Sequence, residues 1–341
     1  MQMKTLITGA LCLLVVFGQA QRRREANDEI WTAEQNVREM RRLDRERNNI
    51  YVHWEKNNRG EYEFFCDNNT FSDYTVEVSF SEFINLQCDR PLPALIEVVP
   101  GKNRRLFVLR KGTLGTASHF QYRHKAYKGC PSPRVDTSFT YLLPIAPGKG
   151  TRIVELLSLA QEYGDEAPPK DWYSLSLHVQ AGDTVYAARR GRVTNTSEHA
   201  DLQDSGYRYS AEDNYIEIEH SDCSFGKYSV FRDDAIFVHP GDWVEAGEPI
   251  GIAGGDKYAA GPQVRFSVFY HLEQDVLDKD GHATGKTRNW AYVPLYFWTK
   301  DNGKMRLIDR STYVADHPDD LVTQEMSKKE ARKWKEKHKT S

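Results

Sequence analysis

The stretch HPGDWVEAGEPIG, from His239 to Gly251, decides the architecture. Gly241-Asp242 supplies residues that tolerate the positive φ of a hairpin turn. Val244 and Ile250 then stand as isolated apolar residues among glycine, proline and acidic positions, a spacing of short strands and turns. The same pattern recurs outward. Gly182-Asp183 leads into TVYAARRGRV (Thr184–Val193), NYIEIEH (Asn214–His220) alternates apolar with polar, and Gly254-Gly255-Asp256 precedes GPQVRF (Gly261–Phe266). Strands are expected at Val185–Ala188, Asn214–Glu219, Lys227–Phe231, Pro249–Ala253 and Val264–Tyr270, with one helix at Arg152–Tyr163.

Further upstream, β-rich runs at Glu61–Cys66, Tyr74–Phe80, Leu95–Val99, Arg105–Leu109 and Phe120–Tyr127 are separated by Asn, Asp, Pro and Gly turns and predict a small antiparallel β-sandwich. Cys130-Pro131-Ser132-Pro133 resists helix and strand interiors alike and places a boundary there. The expected fold class is therefore mostly β. It divides into a signal peptide at 1–20, a charged helical segment at 21–60, the sandwich at 61–132, a second β domain of barrel-sandwich type at 135–300 and a charged tail at 301–341. Ile30, Val37, Met40 and Leu43 recur at helical intervals within Arg22–Arg47, and the basic tail from Ser327, which includes Trp334, reads as a frayed helix.

Composition narrows the function classes. The 341 residues carry 46 Lys and Arg against 49 Asp and Glu, a formal net charge of -3, so no global field draws in nucleic acid. Lys4 followed by an apolar run from Leu6 to Phe17 and then Gly18-Gln19-Ala20 has the form of a secretory signal. About 12 apolar residues fall short of the roughly 20 that span a bilayer, so export to a periplasmic or extracellular compartment is expected, with no transmembrane segment. Removing that segment with Cys12 leaves Cys66, Cys88, Cys130 and Cys223, an even set for an oxidising compartment. The favoured pairing is Cys66 with Cys88, leaving Cys130 with Cys223.

Taken in order, Asp183–Val193, Asn214–His220, His239–Gly251 and Gly261–Phe266 resemble the lysostaphin/LytM-type zinc endopeptidases of bacterial cell walls, over about Tyr141 to Thr299. The resemblance implies a zinc held by a histidine, an aspartate and the second histidine of a His-x-His pair, with further histidines polarising water and carbonyl. Three protein ligands leave the fourth position open for hydrolysis. This chain departs from that pattern at each point. Ser176 stands where the aspartate is expected, Gln263 and Arg265 replace the His-x-His pair, and Val230 replaces the histidine of the Tyr-x-His-Leu strand that begins at Tyr228. Serine and glutamine are not ordinary zinc ligands, and arginine puts a fixed positive charge where a dication would sit.

His178 is the best candidate for a relocated site, being two residues from Ser176 and on its strand face. His271 shares the face of Arg265 but lies about 20 Å along the strand, and His220 and His239 sit at turn-like strand ends. The adjacent carboxylates Asp233 and Asp234 fit a turn better than acid/base work. The expectation is an exported relative with no catalytic residues and no cofactor. It would bind a peptidoglycan peptide or an envelope protein through a groove floored by Ser176, Gln263 and Arg265, with Val230, His178 and Tyr228 beside them. The alternatives are an active zinc endopeptidase centred on His178 and a purely structural envelope protein.

Overall fold

The computed structural model describes residues 48–113, 115–157, 170–198, 213–277 and 282–338. The expected signal peptide and the Arg22–Arg47 helix lie outside the described residues.

Seven strands build a first core: β1 (Ile50–Lys56), β2 (Tyr62–Asn68), β3 (Tyr74–Ile84), β4 (Leu86–Cys88), β5 (Ala94–Val98), β6 (Gly101–Lys111) and β7 (His119–Lys128). They form two antiparallel sheets, ordered β1-β2-β6-β4 and β5-β3-β7. The sheets close on Val52, Phe64, Cys66, Val76, Val78, Ile96, Phe107 and Leu109, and Phe64 stacks 4.7 Å from Phe107 and meets Tyr122 edge-on at 5.1 Å. This is the expected sandwich, with one correction at its start. Residues 50–56, assigned to the charged helical segment, are a strand paired along its whole length with β2. Val52 faces inward between the half-exposed Tyr51 and His53, a period of two that the surrounding charges obscure.

The second core is larger. Its strands are β8 (Thr140–Leu142), β9 (Gly150–Glu155), β10 (Leu175–His178), β11 (Thr184–Tyr186), β12 (Gly191–Ser197), β13 (Tyr215–Glu219), β14 (Phe225–Ser229) and β15 (Phe231–Ile236). β16 (Trp243–Val244), β17 (Pro249–Ala253), β18 (Gln263–Leu277), β19 (Ala283–Tyr292), β20 (Tyr296–Thr299), β21 (Gly303–Met305) and β22 (Thr312–Val314) follow. A nine-stranded sheet runs β16-β12-β13-β14-β18-β10-β9-β22, with β19 also on β18, while β11-β17-β15 and β21-β20-β8 form two small sheets. No closed barrel is present among them. Leu143, Ile153, Leu175, Leu177, Val185, Ile216, Ile218, Tyr228, Val264, Phe266 and Phe297 pack the space between the sheets.

The stretch that opens at His239 folds as expected. Gly241, at φ +104°, turns the chain so that the Asp242 amide donates to the His239 carbonyl, and the Asp242 carboxylate takes the His239 amide. β16 then adds to the edge of β12.

Two further expectations are corrected. Gly150–Glu155, the beginning of the expected helix at Arg152–Tyr163, is a strand held between β10 and β22. Thr151 and Ile153 are buried and Arg152 is exposed, so burial on one face overrides helical spacing; residues 158–163 lie outside the described residues. Nor is 301–338 a tail. β21 and β22 join sheets, and two helices, α1 (Asp319–Val322) and α2 (Lys328–His338), follow. Val322 is buried with Leu142 and Ala246, and Trp334 packs against them. Glu325 accepts from Arg189 at 2.8 Å and Glu330 from Arg190 at 3.1 Å.

Of the two expected disulfides, one forms and one is corrected. Cys130 and Cys223 form a disulfide that ties the two cores, but Cys66 and Cys88 are free. β6 runs between their strands, with Cys66 opposite Arg104 and Cys88 opposite Leu109. That offset of five residues is about 17 Å along the strand, beyond any disulfide. Burial pushes the Cys66 thiol up to about 12, so it stays unreactive. Alkylation of the unfolded, unreduced protein without its first twenty residues should label Cys66 and Cys88 alone and leave one cross-linked Cys130–Cys223 peptide. A cross-linked Cys66–Cys88 peptide would contradict this register.

Candidate functional site

β10 lies between β9 and β18, and its register places Ser176 opposite Arg265 and His178 opposite Gln263. Because side chains alternate along a strand, Leu175, Leu177, Val264 and Phe266 face the core. Ser176, His178, Gln263 and Arg265 share the other face. Ser229 of β14 lies beside Arg265 on its other flank. The structure therefore gathers three of the four degenerate positions into one patch.

Each polar group there is directed at another. The Ser176 hydroxyl donates to Gln263 Oε1 at 2.5 Å, and both side chains are buried. Arg265 Nη1 lies 3.3 Å from Asp213 Oδ2, and its guanidinium stacks 4.6 Å from the centre of the Tyr258 ring. The Tyr258 hydroxyl donates to the other oxygen of Asp213. All three side chains are buried, with Arg265 only 7% exposed. Burial lifts the Asp213 carboxyl above its usual range, against the opposing pull of the Tyr258 hydrogen bond and the Arg265 charge. Arg265 is therefore held by Asp213 as its counter-ion and covered by the Tyr258 ring.

Val230 sits at the rim of this patch, buried, with φ at +74°. A β-branched residue in the left-handed region is strained by about 1–3 kcal/mol. Backbone bonds enforce it: the Val230 amide donates to the Asn214 carbonyl and the Gly254 amide donates to the Val230 carbonyl. A Cβ on Gly254 would lie 2.8 Å from the Phe231 carbonyl oxygen, so only glycine permits this approach. Outside the plug, a pocket of about 140 Å³ is lined by Asp213, Asn214, Val230 to Asp233 and Gly254 to Tyr258. Ser176, Gln263 and Arg265 are not among its walls, and all three are buried.

Tyr228 belongs elsewhere. It pairs with Phe266 on the core face, is fully buried, and its hydroxyl accepts from the Ala188 amide at 2.8 Å. It is a core residue and takes no part in the patch.

The histidines do not assemble. His178 is half-buried, and desolvation, followed by the Arg152 charge, lowers its pKa against a hydrogen bond to the Ala260 backbone. His220 is buried, its Nδ1 lies 2.8 Å from the Arg190 carbonyl, and burial pushes it down to about 3. His271 stacks on Trp290 at 3.6 Å and burial pushes it down to about 4. His239 is exposed, within 3.7 Å of Asp242. Among the described residues no group of three or more His, Cys, Asp or Glu could hold a metal ion. Zinc, which the resemblance implies, does not fit the expected position: an imidazole and a carboxylate are replaced by a guanidinium and a hydroxyl. The buried Gln263 Nε2, which has no acceptor among the described residues, would also repel a cation.

Asp213 and Tyr258 escaped the sequence reading. The available signal was an arginine on a strand, which demands a carboxylate once buried. Nothing in the sequence says which of the 49 acidic residues supplies it.

Residues 170–278 match Peptidase family M23. The solved structures that resemble the chain include the catalytic domain of lysostaphin from Staphylococcus simulans, at 21% identity and TM-score 0.24, covering 36% of this chain and 79% of that one. Csd3 from Helicobacter pylori, at 13% identity and TM-score 0.26, covers 86% of this chain and 79% of that one. The SpoIIQ-SpoIIIAH pore forming complex, at 19% identity and TM-score 0.27, covers 43% and 88%. No curated protein matches.

Arg265→Ala should destabilise the protein by about 3–5 kcal/mol in denaturant unfolding, because it strands the Asp213 carboxylate in a buried site. Arg265→Met combined with Asp213→Asn should restore most of that loss. Recovery by Arg265→Met alone, with Asp213 kept, would mean that the guanidinium acts through packing alone.

Proposed function

Residues 170–278 form a Peptidase family M23 domain, and we propose that this one binds instead of cutting. The observation that carries this reading is the plug. The position that a hydrolytic zinc would need holds the Ser176–Gln263 hydrogen bond and the buried Asp213–Arg265–Tyr258 cluster. Hydrolysis of a peptide bond at neutral pH needs an activated water and a group to stabilise the oxyanion. A guanidinium locked onto Asp213 carries a single positive charge, offset by its counter-ion, and has no exchangeable position for water.

The partner class is a peptide of the cell wall or an envelope protein, met outside the cytoplasm after export. Three features support it: the signal-like first twenty residues, the Cys130–Cys223 disulfide and the M23 scaffold itself. No described helix is long and apolar enough to cross a membrane. The pocket beside the plug is smaller than the several hundred Å³ of a typical small-molecule site. It suits one side chain of an extended peptide laid across the rim formed by Arg232, Asp233, Asp256 and Lys257.

The experiment loads the purified protein with zinc, dialyses it, and measures metal content together with release of fragments from peptidoglycan. Near-zero zinc and no release are expected. One retained zinc per chain with hydrolysis of cross-links would overturn the reading.

A further inference from the structure

The joint between the two cores carries a charge problem of its own. Asp73, in the loop between β2 and β3, belongs to the first core, and Glu219, at the end of β13, belongs to the second. Both use the same nitrogen: Arg192 Nη2 lies 2.8 Å from Asp73 Oδ1 and 3.1 Å from Glu219 Oε2. The Arg192 Nε is buried and finds no acceptor among the described residues. Glu219 also accepts from the Ser72 hydroxyl at 3.2 Å and from the Asp73 amide at 3.1 Å. Two carboxylates that converge on one nitrogen repel each other, and one guanidinium nitrogen cannot neutralise both.

The surroundings do not relieve the excess. Glu217, two residues before Glu219 on the same strand face, takes Lys128 of β7 and the Thr194 hydroxyl. Lys227 stands opposite Glu217 but lies over the Tyr215 ring at 4.5 Å. The residue opposite Glu219 is Phe225. Tyr74 and, through Asp73, Glu97 complete the neighbourhood, and both have pKa values raised by burial and nearby carboxylates. His220 turns its ring to the Arg190 carbonyl.

We propose that this joint is a proton-operated clasp, which holds the two cores together most firmly when Glu219 is protonated beside Asp73. The shared nitrogen and the contacts spanning 146 and 147 residues of sequence make protonation and docking one event. Burial first, and the Asp73 charge second, push the Glu219 carboxyl up from 4.5 to about 7. Separated from Asp73 and exposed to water, Glu219 would return toward its ordinary value. The closed joint therefore binds more protons than the open one between these limits. Its stability is complete at the acid end, falls as pH rises toward 7, and is level beyond.

Amide hydrogen exchange at Asp73, whose N–H donates directly to Glu219, reads the clasp in the full-length protein. After correction for intrinsic exchange, the opening constant should rise by up to about tenfold per pH unit between pH 5 and 7 and level off above 7. In Glu219→Gln it should be flat across that range. Should Glu219→Gln fail to fold, Asp73→Asn serves, with the upper end of the window moving below 7. A flat profile in the unsubstituted protein, a persisting slope in Glu219→Gln, or an unmoved window in Asp73→Asn would overturn the proposal.

Discussion

The ion pair between Arg265 and Asp213 governs the candidate site. A guanidinium brought to a buried strand position requires a carboxylate at hydrogen-bond distance, and that carboxylate requires satisfied lone pairs. Asp213 gives one oxygen to Arg265 and the other to Tyr258, and Tyr258 covers the guanidinium with its ring. The constraint spreads outward from there. Tyr258 must return to the sheet, which draws the Gly254–Gly261 turn across the patch, and the carbonyl of Asn214, next to Asp213, accepts from the Val230 and Phe231 amides. The strands of the region that matches Peptidase family M23 thus surround a centre whose charges are balanced by side chains.

A second charged assembly sets how the chain's two halves meet. The first core touches the second through Ser72, Asp73 and Lys128, which reach β12 and β13, through the Cys130–Cys223 disulfide, and through rings, with Tyr127 edge-on to His271 of β18 and Lys128 over Phe225 of β14. The contact combines ion pairs with aromatic packing. Its charged part rests on hydrogen-bond geometry and protonation state, which solvent conditions alter more readily than they alter packing. The disulfide keeps the halves adjacent whatever the state of the charges.

The segment after Lys300 closes the other end of the second core. Arg189, buried under Phe139 with its guanidinium 3.9 Å from the ring centre, takes Glu325 and Asp222 as partners. Glu330 at the start of α2 reaches Arg190. A run that reads as a solvated basic tail is thereby pinned by its few acidic residues. Composition hides this, because the pairing partners lie about 140 residues upstream.

The sequence by itself determined the local elements and which residues stand at the positions that the resemblance assigns to metal ligands. Turn residues such as Gly241-Asp242 and the alternation in β13 and β17 act over a few neighbours, and a residue's identity at a ligand position needs no coordinates to be read. Ser176, Gln263 and Arg265 were legible as a degenerate set for that reason. Tertiary structure decided everything that depends on distance between remote positions. It joined Cys130 to Cys223 and kept Cys66 from Cys88, because β6 intervenes. It turned Gly150–Glu155 from a helical spacing into a strand, because β10 and β22 offered hydrogen bonds on both sides. It sent Tyr228 to the core, and it chose Asp213 and Tyr258 to seal the site. Burial and pairing are properties of the assembled sheets, and a chain read one residue at a time does not contain them.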